Sequence, residues 1–156
     1  MKKIASPRTS FFMLSTMCLV LCCTLISSCK LETSDNGKLD GFWKLTRVDT
    51  LATGGVLDLT ENGIFWSVQM NLLSVDDKYQ ADGNEILFRF KHEGGTLTLS
   101  EPREGHQYTG DKDIEDVKKL QPFGINQLTE TFKVEGLSGS HMYLSTPQLR
   151  LSFTKF

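Results

Sequence analysis

Ile64-Phe65-Trp66-Ser67-Val68-Gln69-Met70-Asn71-Leu72 is the stretch that decides the fold of this chain. Ile64, Trp66, Val68, Met70 and Leu72 fall on one side of an extended backbone, and Ser67, Gln69 and Asn71 on the other. Successive side chains of a strand point to opposite faces, so alternation this long predicts a half-buried strand rather than a helix. The same period returns in Ile86, Phe88 and Phe90, set against Leu87, Arg89 and Lys91. Glu93-Gly94-Gly95 then turns the chain into Thr96-Leu97-Thr98-Leu99, the composition and spacing of a hairpin. Asp82-Gly83-Asn84 supplies a turn between the long strand and Glu85. Phe132 with Val134, Met142 with Leu144, and Leu149 with Leu151 and Phe153 form three more alternating sets. Gly136 to Ser140 and Ser145-Thr146-Pro147-Gln148 separate them. With Phe42–Val48 and a weaker Val56–Leu59, the count reaches seven or eight short strands, the pattern of a barrel or sandwich.

One stretch breaks the period. Asp113-Ile114-Glu115-Asp116-Val117-Lys118-Lys119-Leu120 places Ile114, Val117 and Leu120 at helical spacing, with acids early and lysines late. Asp113 is the expected cap and Pro122 the expected stop, giving a short helix over a barrel opening or the outer wall.

The first 28 residues read as a secretory signal. Lys2, Lys3 and Arg8 precede an uncharged apolar run of 16 residues from Phe11 to Ile26, shorter than a comfortable bilayer span. Leu25-Ile26-Ser27-Ser28-Cys29 resembles the bacterial lipobox, which implies cleavage before Cys29, diacylglycerol on its thiol and an acylated amine. Cleavage without lipid and an uncleaved anchor are the other readings of the segment. Cys18, Cys22, Cys23 and Cys29 all lie at or before the cut, so the folded part has no cysteine to pair and apolar burial must stabilise it. From Cys29 to Phe156 there are 128 residues, enough for one domain with its own core. Removing residues 1–28 takes away three basic residues and no acidic ones, moving the net charge from −2 to −5. A net acidic chain without a basic cluster is a poor candidate for binding nucleic acid or anionic lipid through charge, and nucleic acid is set aside as a partner. The polar segment through Leu39 reads as a tether, with Ser34-Asp35-Asn36-Gly37 as turn chemistry. Glu32 and Asp35 resemble a thin form of the acidic export signal of Bacteroidetes surface lipoproteins, or simply belong to a solvated linker. The division expected is signal 1–28, lipidated tether 29–39 and barrel 40–156.

Gly41-Phe42-Trp43, opening the first strand after the tether, resembles the Gly-x-Trp signature of lipocalin domains. Residues 40–156 are similar to the lipocalin-like lipoproteins of Bacteroidetes, in particular through Phe132-Lys133-Val134-Glu135-Gly136-Leu137-Ser138, Met142-Tyr143-Leu144 and Leu149-Arg150-Leu151-Ser152-Phe153. The resemblance implies an all-β fold: a single antiparallel up-and-down β-barrel of about eight strands with one short helix. It makes Trp43 a structural plug of the closed end, with Arg150 packed near it. Two departures limit it. The helix precedes the final three strands instead of following the last, and Arg150-Leu151-Ser152 lacks the Arg-x-Tyr clamp of intracellular fatty-acid carriers.

An eight-stranded barrel is just wide enough to be filled by side chains or to hold one small ligand. The inward stripes therefore have two readings, core or cavity wall. Trp66, Met70, Phe88 and Met142 are the candidates for lining an apolar ligand site. Other constellations read as structure. Asp111-Lys112-Asp113-Ile114-Glu115-Asp116 lacks the glycine and distal glutamate of a calcium loop. His92, His106 and His141 show no metal-ligand spacing, and no pattern implies a cofactor. Gly136-Leu137-Ser138-Gly139 lacks both the spacing and the following helix of a nucleophile elbow. The chain is accordingly expected not to be an enzyme. Two functions remain: a membrane-anchored envelope module holding a small apolar ligand, or one with a filled barrel that engages an envelope protein or glycan, with Tyr79, Tyr108 and Tyr143 as exposed aromatics. Either is placed at the outer membrane, facing periplasm or cell surface.

Overall fold

In a computed structural model, which describes residues 34–80, 85–105 and 110–156, the period-two pattern becomes ten strands. They are β1 (Gly41–Thr50), β2 (Gly55–Asp58), β3 (Ile64–Gln69), β4 (Leu72–Asp77), β5 (Ile86–Glu93), β6 (Thr96–Glu104), β7 (Lys112–Asp113), β8 (Glu130–Leu137), β9 (His141–Ser145) and β10 (Leu149–Lys155). The leader, Cys29 with the other cysteines, Lys30 to Thr33, the Asp82-Gly83-Asn84 turn, His106 and Tyr108 lie outside the described residues.

Eight strands close a ring in the order β1-β3-β4-β5-β6-β8-β9-β10, and β10 pairs back onto β1 from Trp43↔Lys155 to Thr50↔Leu149. Every pairing is antiparallel, and neighbours in the ring follow one another up and down. The architecture is an all-β, closed, eight-stranded antiparallel barrel. The two remaining strands double up on an edge. β3 takes Gly41 to Lys44 of β1 while β2 takes Arg47 to Thr50. β8 takes Thr96 to Leu99 of β6 while β7 takes Arg103 and Glu104.

The register separates two ends. At the closed end lie the 3-10 turn Gly37–Leu39, the β3–β4 turn and Phe156, whose N–H reaches the Phe42 carbonyl. At the far end lie the β1–β2 turn, the segment 114–129 and the β9–β10 turn, opposite one another through Thr50↔Leu149. Between them the inward residues of all eight strands, among them Leu45, Val68, Leu73, Val75, Leu97, Leu99 and Leu144, form one core. A bulge in β1 between Leu45 and Arg47 shifts the phase, so Val48 continues the inward stripe and Arg47 points out.

Three expectations are corrected. The stretch 64–72 is not one strand: β3 ends at Gln69, Met70 and Asn71 form a tight turn, and Leu72 opens β4. Met70 has φ +55°, a left-handed conformation uncommon outside glycine, and its side chain is 43% exposed instead of facing inward. The turn also flips the phase, so Leu73 and Val75 carry the core and Leu72 points out. The short helix expected after β7 is present, as 3-10 helix in two turns, Val117–Lys119 and Gln121–Phe123, and it is its cap and stop that differ. Asp113 pairs with Arg103 in the sheet, Asp116 caps the first turn by accepting the Lys118 N–H, and Pro122 lies inside the second. Finally, the tether is already folded from Ser34, and Leu39 is buried.

Candidate functional site

The barrel centre is packed. Trp66 sits across from Trp43 on one flank and Val75 on the other. Its ring meets Phe132 edge-on at 5.7 Å and Phe153 at 5.0 Å, each such pair contributing about 0.5–1.5 kcal/mol beyond area burial. Trp66, Phe132 and Met142 are 0% exposed and Phe88 and Phe153 1%, which leaves no room for a water molecule beside the first three. Three of the four candidate lining residues, Trp66, Phe88 and Met142, thus belong to the core cluster, and Met70 stands outside it. Among the described residues one buried side-chain polar atom is left over: Trp66 Nε1 has no hydrogen-bond partner there.

The segment 114–129 stops the far end. Ile114, Leu120, Phe123 and Ile125 are buried in the same core. Gly124 (φ +83°) lies so close to Leu151 that a Cβ there would come within 2.8 Å of Leu151 Cδ2. Glu130, opposite Leu99 and two residues before Phe132, is buried, and its Oε2 accepts the N–H groups of Asn126 and Gln127. Burial raises the Glu130 carboxyl above its ordinary pKa, and the two N–H donors oppose that shift.

At the closed end Trp43 is fully buried and its Nε1 donates to the Leu39 carbonyl at 2.8 Å. The cation beside it is Lys155, not Arg150: Lys155 Nζ lies 4.8 Å from the Trp43 ring centroid and donates to the Asp40 carbonyl. Gly41 (φ +126°) makes this possible, because a Cβ at that position would strike Lys155 Cε. Arg150 is instead at the far half of β10, paired with Glu135 at 3.1 Å and placed over Tyr143. The family resemblance pointed to Arg150, but the β1–β10 register sets Trp43 opposite Lys155 and Arg150 opposite Asp49.

Among the described residues, open hollows of about 130, 270 and 310 Å³ lie on the barrel surface. The first two share Leu72 and Leu87, and the first and third share Glu101 and Arg103. Met70 and Glu101 (φ +51°), the two non-glycine residues with left-handed backbone among those described, both stand on these walls. Tyr79 is well exposed, while Tyr143 is half-buried between His141 and Arg150. Ser138 Oγ accepts the N–H groups of Ser140 and His141, so Gly136 to Ser140 is hairpin chemistry. Among the described residues no group of three histidine, cysteine or acidic side chains is placed to hold a metal.

A family model described as a lipocalin-like domain matches residues 23–156. The chain belongs to that family. Among solved structures, it is similar to a lipocalin-like protein from Bacteroides uniformis ATCC 8492, at 21% identity and a TM-score of 0.60 over 77% of this chain and 100% of that one. It is also similar to an uncharacterized protein from Bacteroides eggerthii DSM 20697, at 16% identity and a TM-score of 0.53 over 75% of this chain and 98% of that one. At these identities the likeness is one of fold. No curated protein matches the chain. In this lipocalin-like domain, the place where a barrel of eight strands has room for a guest is taken by Trp66, Phe132 and Phe153.

Proposed function

We propose that this lipocalin-like protein is a non-enzymatic, lipid-anchored envelope module whose barrel is a solid scaffold and whose partner-binding surface is external. The filled centre around Trp66 carries this reading, since it moves the available surface to the outside. That outside offers Leu51, Val56 and Leu57 on the β1–β2 hairpin, each more than half exposed, to an envelope protein or glycan. The anchor rests on the Leu25-to-Cys29 sequence and places the domain at the outer membrane, facing periplasm or cell surface. A second reading, a small apolar ligand inside the barrel, is favoured by one observation. Buried polar groups are normally satisfied, and the Trp66 indole N–H would gain a partner from a guest carrying an acceptor.

Native mass spectrometry of protein purified from membranes of the producing organism, combined with photo-crosslinking from Leu57 in intact cells, separates the readings. An acylated polypeptide beginning at Cys29, with no small-molecule adduct and one defined crosslinked partner, is expected. A stoichiometric adduct released on unfolding would overturn the filled-scaffold reading in favour of the second. An unmodified Cys29 amine and thiol would remove the anchor.

A further inference from the structure

The chain between the expected anchor and the barrel ends in a clasp. Ser34 Oγ accepts the Met70 N–H at 2.9 Å, and Asn36 Nδ2 donates to the Met70 carbonyl at 2.7 Å. Asn36 Nδ2 also donates to Ser34 Oγ at 2.7 Å, and both side chains reach Asp40 Oδ1, at 2.6 and 2.8 Å. Both backbone polar groups of a left-handed methionine are thereby held by residues 34 and 36 places earlier in the chain. A backbone outlier that the surroundings hold in place is a pointer to a role beyond packing.

We propose that this clasp docks the closed end of the barrel onto the bilayer, making the lipid interface the partner of the Met70–Asn71 turn and of Phe156. The inference rests on the lipid anchor at Cys29. Only Lys30 to Thr33 lie between Cys29 and Ser34. Five residue steps extend over at most about 17–18 Å. β1 rises about 33 Å over its ten residues, or roughly 25 Å along the axis of a barrel with strands tilted near 40°. A domain clasped at Met70 therefore cannot bring its far end to the lipid. Without the clasp the chain would be free up to Lys38, where the buried Leu39 still holds it; those nine steps extend over about 30–32 Å, and either end would reach. The docked end also carries the side chains suited to it: Phe156 is 86% exposed and Met70 43%. An apolar side chain at a bilayer surface gains by partial insertion. The hairpin with Leu51, Val56 and Leu57 is consequently presented away from the membrane.

After cleavage the thiol of Cys29 is acylated, so an introduced cysteine is the sole free thiol of the mature chain. Full-length lipidated protein carrying Asn71→Cys or Leu57→Cys, labelled with a fluorophore, is reconstituted into phosphatidylethanolamine–phosphatidylglycerol vesicles containing headgroup-quencher lipid. Quenching several-fold stronger at position 71 than at 57 is expected. Adding Ser34→Ala and Asn36→Ala should bring the two positions toward parity, with flotation and circular dichroism unchanged. Equal quenching in the clasped protein, with vesicles and protein floating together, overturns the docking inference alone. Protein that does not float overturns the anchor and the docking with it.

Discussion

Truncating Phe132 to alanine tests whether the barrel is solid. The ring is fully buried, faces Trp66 edge-on at 5.7 Å and stands opposite Leu97 across the β6–β8 pair. Removing a buried phenylalanine from a close-packed core costs about 3–5 kcal/mol, the transfer term plus the hole left behind. A domain of this size is stable by only about 5–15 kcal/mol, so the variant should lose at least about a fifth of that margin. The midpoint of thermal unfolding should fall by roughly 9–25 °C, at about 3–5 °C per kcal/mol. Urea titration followed by tryptophan emission is the assay, because Trp43 and Trp66 are both buried and report directly on the core. Phe132→Leu should lose less, and a benzene-sized molecule should restore part of the alanine variant's stability by entering the new hole. A loss below about 1 kcal/mol for Phe132→Ala would refute the packed interior, since a side chain beside an existing hollow has fewer contacts to give up.

Two further variants probe the far end. The raised Glu130 carboxyl means the folded state holds that proton more tightly than the unfolded chain does. Its stabilising contribution is therefore complete below the ordinary carboxylate pKa and is lost as pH rises through the folded-state value. Glu130→Gln keeps an oxygen for the Asn126 and Gln127 N–H groups without the buried charge. Its stability relative to the parent should improve from pH 3 to pH 8 in denaturant titrations, and the opposite trend would contradict this assignment. Gly124→Ala forces a Cβ into left-handed backbone and against Leu151. A destabilisation of at least about 2 kcal/mol by calorimetry is expected, and a neutral result would show that the 114–129 stop is not seated as described.

The strands were legible because alternation survives in one sequence. Ile86, Phe88, Leu97, Leu99, Phe132, Met142, Leu151 and Phe153 all face the core that their period assigns to them. β4 was hidden because its turn carries no glycine or proline: Met70-Asn71 continues the apolar–polar rhythm while the backbone reverses under it. Phase after such a turn cannot be read from spacing, so Met70 and Leu72 were placed inside and Leu73 and Val75 were missed. In the stop at 114–129 the spacing of Ile114, Val117 and Leu120 showed an apolar face, but the buried Phe123 and Ile125 beyond Pro122 follow no period and are recognisable only once the barrel mouth exists around them. Ser34 and Asn36 are ordinary linker residues by composition, and nothing local announces a partner in the β3–β4 turn. Whether the centre is solid was equally out of reach, because the same aromatic stripe serves to fill a barrel or to line one.

The doubled edges of β1 and β6 set the shape of the ring. These are the two longest strands, they lie four places apart in a circle of eight, and each is interrupted, β1 near Thr46 and β6 near Glu101. Each gives its lower half to one neighbour and its upper half to another. The cylinder is thus creased along two diametrically opposed seams; above one the β2 hairpin hangs from β1 alone, and above the other the β7-to-β8 excursion leaves β6 and folds back into the core. Length and composition in the exposed β2 hairpin can vary independently of the strand register beneath it, whereas the β7-to-β8 excursion is fixed by the side chains it buries in the core, so the freedom of this scaffold lies on one side of the rim farthest from the clasp.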